Sequence, residues 1–107
     1  MSTYRVALLV REVSDGELVA LYASDDLKLP FVPTVGMQFK QGASTWLWET
    51  NTGELMPQVE AVTYNLDEDL FVCVFTVGQF LKSSFWTRID GADIHKSSYL
   101  HYIKARS

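Results

Sequence analysis

The clearest pattern in the chain is alternation. From Tyr4 to Val13, the residues Tyr4, Val6, Leu8 and Val10 fall on one face of an extended backbone, with Arg5, Ala7, Leu9 and Arg11 on the other. A period of two marks a half-buried strand. Ser14-Asp15-Gly16 then supplies turn chemistry, since Asp bonds to nearby backbone and Gly accepts positive φ. Glu17 to Ala23 reads as the returning strand, so the chain is expected to open on a hairpin.

Ser24-Asp25-Asp26 ends that pattern, and Leu29-Pro30-Phe31-Val32-Pro33 cannot form a central strand, because each proline lacks an N–H for the ladder. Residues 24–34 are therefore expected to cross as a loop, with Phe31 and Val32 covering one end of the core. Val35 to Phe39 is expected as a short strand, with Gly36 marking a bulge or a close backbone approach. Ser44 to Glu49 and Leu55 to Asn65 flank Thr50-Asn51-Thr52-Gly53, which suits a hairpin connection, and Pro57 delays or edges the second of these strands. After the turn at Asn65-Leu66-Asp67-Glu68-Asp69, the run Leu70 to Val77 is apolar on both faces and reads as a central strand.

Beyond Gly78 two periods compete. Leu81, Phe85 and Ile89 recur every fourth residue, whereas Phe85, Thr87 and Ile89 alternate, and short apolar segments of this kind are not settled by periodicity. From about Ile94 to Ala105 the pattern is helical, with Tyr99, Tyr102 and Ile103 on one side, Asp93 near the positive end and Lys104 and Arg106 near the negative end. The expected architecture is α+β: a strongly bent antiparallel sheet or small β-barrel of about six strands with a C-terminal helix, forming a single domain over residues 1–107.

Composition narrows the partners. Nine Lys and Arg against thirteen Asp and Glu give a net charge of −4, with no basic stripe to replace phosphate counterions. Neither nucleic acid nor an anionic membrane surface is an expected partner. Cys73 is the only cysteine, which excludes an intrachain disulfide and a thiolate metal cage. The opening Met1-Ser2-Thr3-Tyr4-Arg5 lacks the apolar stretch of a secretory leader, and no apolar run approaches the ~20 residues needed to span a bilayer. The expected compartment is the cytoplasm.

Candidate chemistry is sparse. Asp93, His95 and His101 carry metal-ligating atoms, but helical offsets of two and six point in different directions, unlike an i, i+4 pair. Ser97 and Ser98 lie among these residues without a nucleophile elbow. Capping and solvation account for this cluster, and no metal is expected. Cys73 sits in the most apolar run, where burial raises a thiol pKa and blocks access. Asp67-Glu68-Asp69 lacks the spacing of a calcium loop, Asp25-Asp26 reads as a solvated pair, and no phosphate-cradling glycine motif is present. No cofactor is expected.

Trp46 and Trp48 are the most informative residues. On a strand they share one face, making either a core wall or a platform for a flat ligand or partner, with Phe80, Phe85 and Trp86 supplying further rings. Two functions follow as expectations. The first is a non-enzymatic binding or interaction domain that self-associates as a closed homo-oligomer, using the Phe71–Val77 strand or the Trp46/Trp48 pair as apolar surface. The second is a small enzyme or ligand carrier with an aromatic pocket between sheet and helix, using Asp93, His95 or His101 as polar groups. The ligand or interface candidates are thus Trp46, Trp48, Trp86, Asp93, His95 and His101.

Overall fold

The computed structural model describes residues 3–40 and 46–104. The chain opens with strand β1 (Tyr4–Ser14), which turns through Asp15 and Gly16 into β2 (Glu17–Ala23). Asp15 and Gly16 have φ of 53° and 79°, the left-handed pair that a tight two-residue hairpin requires and that Asp-Gly supplies readily. Val13 pairs with Leu18 while Glu12 pairs with Ala20, so Val19 is bulged out of the ladder.

After β2 the ladder along β1 is interrupted and resumes as β3 (Leu27–Leu29). One more residue lies between Ala23 and Leu27 than between their partners Leu9 and Val6, which is the count of a bulge. Ser24 fills the break. Its N–H donates to the Leu8 carbonyl at 3.0 Å, and its Oγ accepts the Leu8 N–H at 2.9 Å. The hydroxyl thus takes the place of a backbone acceptor.

The remaining strands are β4 (Glu49–Thr50), β5 (Gly53–Glu54), β6 (Ala61–Asn65), β7 (Leu70–Val77) and β8 (Thr87–Asp90). Strands β4 and β5 make a separate small hairpin, while the main sheet has six strands in the order β6-β7-β1-β2-β8, with β3 also on β1. The sheet is open, and it is mixed rather than antiparallel. Strands β1 and β7 run parallel from Val6↔Phe71 to Glu12↔Val77. Residues 15–69 separate these strands, and a connection of that length can bring a strand back in either direction.

Both central strands are buried on two faces. Val6, Leu8, Val10, Cys73, Phe75 and Val77 join one core cluster, and Ala7, Leu9, Leu70, Val72 and Val74 join the other. The half-buried reading of β1 is corrected accordingly. Each Val, Leu or Phe among them contributes roughly 1.5–3 kcal/mol through removal from water. The first face is covered by Leu47, Trp48, Val59, Leu81 and Trp86 from irregular segments.

The second face is covered by α1 (Asp93–Lys96) and α2 (Leu100–Lys104) through Ile94 and Tyr102. The single C-terminal helix expected from the pattern is therefore two short ones. Ser97 is extended, with φ −75° and ψ 137°, and its Oγ accepts the Tyr99 N–H at 3.1 Å. A serine hydroxyl that bonds its neighbouring backbone competes with helix continuation. Among the described residues, no helix is long and apolar enough to cross a membrane.

Three other local expectations also change. Val35 to Phe39 forms no strand; instead the Gly36 N–H donates to Val59 O at 2.8 Å, and the Val59 N–H donates to Met37 O at 2.8 Å. Gly36 has φ 92°, a conformation that glycine tolerates, and a Cβ there would meet nothing within 4 Å, so the backbone turn rather than a close approach calls for glycine. Phe31 and Val32 are exposed rather than covering the core. Trp46–Trp48 is a 3-10 turn, not a strand, while Ser44 and Thr45 lie outside the described residues.

Candidate functional site

Trp48 and Trp86 belong to the core and do not form a surface platform. Trp48 is 2% exposed and Trp86 is 7% exposed. Their rings lie 5.2 Å apart, and Trp48 also meets Phe75 at 5.0 Å. Each indole N–H has a backbone partner: Trp48 Nε1 donates to Phe39 O at 2.7 Å and Trp86 Nε1 to Leu47 O at 2.9 Å. A buried Trp needs that bond to avoid an unpaired donor. Both residues hold the irregular layer onto the sheet. The expectation for the Trp46 side chain lies outside the described residues.

The polar candidates are dispersed. Asp93 and His95 are exposed on α1, and His101 is exposed on α2. His101 lines a cleft, a space of about 260 Å³ between α2 and the sheet that also meets Arg5, Asp26, Glu68 and Ser98. Among the described residues, no three His, Cys, Asp or Glu side chains group as a metal would require.

The cleft walls are held by two polar anchors. Arg5 Nη2 donates to Asp26 Oδ2 at 2.5 Å, and Arg5 Nη1 donates to Glu68 O at 2.5 Å. The bond to Asp26 holds the guanidinium above its ordinary range. Asn65 is the second anchor. Its Oδ1 accepts the N–H groups of Asp67 and Glu68 at 3.0 and 3.2 Å, and its Nδ2 donates to Glu68 Oε2 and Tyr102 Oη, each at 3.1 Å. The guanidinium is engaged by its neighbours, so the cleft offers a ligand chiefly the His101 imidazole, the Ser98 hydroxyl and the Glu68 carboxylate.

A polar cluster absent from the sequence reading sits beside the first core face. Tyr22 Oη donates to Glu12 Oε1 at 2.6 Å and accepts the Leu81 N–H at 3.2 Å. Arg88 Nη1 donates to the same Glu12 oxygen at 2.9 Å and also bonds Tyr22 Oη. The Arg88 guanidinium lies 4.7 Å from the Phe80 ring centre, a cation–π arrangement. Burial, aided by the bond to Glu12, pushes the Tyr22 phenol up to about 12. The Tyr22–Glu12 contact had no signal: a regular ladder continued from Ser14 opposite Glu17 would set Tyr22 against Leu9, and only the bulge at Val19 brings it against Val10 and diagonal to Glu12. Arg88 had none either, because its segment carried two competing periods.

The sheet edges differ in chemistry. Strand β8 carries Arg88 and Asp90, while β3 is short, carries Lys28 and runs into Pro30. Charge, proline and shortness are common protections against edge-to-edge pairing. Strand β6, Ala61-Val62-Thr63-Tyr64-Asn65, has none of them. Tyr64 is 42% exposed and Leu66, just beyond the strand, is 82% exposed. The Tyr64 ring packs on Phe71 at 4.7 Å, and Phe71 meets Tyr4 at 6.1 Å, so an aromatic row crosses the sheet to this edge. Tyr64 Oη donates to Asp69 Oδ1 at 2.6 Å, which holds the phenol above its usual range.

Comparison with models of protein families, with characterised proteins and with solved structures finds no match.

Proposed function

We propose that this chain is a non-catalytic interaction domain that associates with itself. The observation that carries the reading is the open, uncharged β6 edge, which carries exposed Tyr64 and is followed by exposed Leu66. An unprotected edge presents a row of backbone donors and acceptors to another strand. The surface first expected for association is not part of the proposal, because Trp48 and the Val72–Phe75 stretch are enclosed within the monomer. The reading includes no cofactor, metal, nucleic acid or membrane partner. It places the domain in the cytoplasm, where a lone reduced thiol such as Cys73 is the common state.

Light scattering across a micromolar concentration series tests it. The expected mass rises with concentration toward twice the monomer value. A monomer mass throughout the series refutes self-association.

One observation favours a second reading, that of a ligand carrier: the cleft beside α2 places His101 and Ser98 next to Glu68. A small polar ligand bound there would shift the NMR signals of His101 and leave those of His95 in place. This reading shares only His101 with the polar set expected from the sequence.

A further inference from the structure

We infer that the self-association surface is β6 itself, paired antiparallel with β6 of a second copy across a two-fold axis at Thr63. The inference rests on the self-association reading and adds its geometry. Centring on Thr63 is the register that overlaps all five residues of the strand. It sets Thr63 against the partner's Thr63, and it sets Val62 against the partner's Tyr64 and Tyr64 against the partner's Val62. Aromatic with β-branched and Thr with Thr are among the pairs that stabilise neighbouring strands. Ala61 meets the partner's Asn65, so no charged pair is formed or broken. The strand is self-complementary, as an isologous contact requires, since each residue must suit its own symmetry mate.

Charge placement supports the same occupant. The acidic turn Asp67-Glu68-Asp69 follows β6 closely. Residues 66–69 turn the chain back toward β7, so Asp67 and Glu68 lie outside the five-residue pairing. Glu60, at the other end, accepts the Thr76 hydroxyl at 2.7 Å and lies 3.5 Å from Arg11 Nη2 within its own subunit.

Strand pairing also continues the aromatic row. Tyr64 packs on Phe71 within each subunit, and the two-fold places the row of the second copy on the same side of the joined sheet. The six-stranded sheet becomes one continuous sheet twice as wide. Five residues of pairing make a small interface, so dissociation is expected in roughly the micromolar range typical of weak contacts of this size.

Three variants, two of them at the axis, test the interface and its register. Thr63→Cys is expected to form an intersubunit disulfide under mild oxidation, because equivalent residues meet at the axis. Ala61→Cys is expected to stay unlinked, since its symmetry mate lies far along the strand. Thr63→Lys, at an exposed edge position, is expected to raise the dissociation constant at least tenfold while the far-ultraviolet circular dichroism stays unchanged. A wild-type dimer that survives Thr63→Lys, with Thr63→Cys unlinked, overturns this interface and leaves self-association standing elsewhere. A wild-type monomer overturns both. Linking through Ala61→Cys instead of Thr63→Cys also overturns the register.

Discussion

Cys73 and Tyr22 show how a core position sets the chemistry of a single side chain. Burial pushes the Cys73 thiol up to about 12 from an ordinary 9.0, and Tyr22 rises to about 12 from 10.0 for the reasons given above. Both groups hold their protons more tightly when folded than when unfolded. Their contribution is therefore fully present below pH 9.0 and is lost as the pH climbs toward about 12. Urea unfolding at stepped pH is expected to show falling stability through that window. Tyr22→Phe is expected to flatten the upper part of the fall. It also strands the Leu81 N–H and removes a donor from Glu12, costing about 1–3 kcal/mol at neutral pH. Native Cys73 is expected to react slowly with thiol reagents until denaturant is added, and rapid labelling of folded protein would contradict its burial. The burial of Cys73 was legible, because Leu70 to Val77 is apolar on both faces. The Trp48–Trp86 contact was not legible. It depends on a 3-10 turn and a loop meeting across the sheet, and neither has a period that pattern reading detects.

Among elements, the turn between β6 and β7 depends most visibly on one side chain. Asn65 closes that turn through its Oδ1 and ties it to α2 through the Tyr102 hydroxyl. Replacing it with Ala leaves the Asp67 and Glu68 N–H groups to solvent and removes a polar tie to α2, which keeps its packing through Tyr102. Asn65→Ala is expected to lower unfolding stability by about 1–3 kcal/mol, measured by urea titration. Asn65→Asp keeps the acceptor but loses both Nδ2 bonds and adds charge beside Glu68, so it is expected to restore only part of the loss. The elements bounded by strong local signals were legible: the β1–β2 hairpin through Asp15-Gly16, the β6–β7 turn and the β7 strand. The parallel pairing of β1 with β7 was not, because no local feature of either strand records the direction of a partner so far away in sequence. The break at Ser97 was underread because Tyr99, Tyr102 and Ile103 keep helical spacing while the interruption comes from one hydroxyl–backbone bond.

For the whole molecule, association through β6 sets short-range pairing against long-range charge. Each copy carries a net charge of −4, so two copies repel as they approach. The proposed interface contains no ion pair to offset this, since Ala61 through Asn65 are uncharged. Salt therefore has one dominant electrostatic effect on the dimer, which is to screen the repulsion between subunits. The screening length falls from ~30 Å at 0.01 M to ~8 Å at 0.15 M, spanning the distances over which scattered surface charges act. Association is expected to tighten over that range by about threefold to tenfold, a change typical of modest charge–charge energies. Sedimentation equilibrium in sodium chloride at fixed pH measures it directly. Backbone pairing between strands is little affected by such concentrations, whereas an interface held by Arg or Lys would weaken. A dissociation constant that rises with salt would therefore place the contact on a charged surface and remove β6 from it, even with the dimer mass intact.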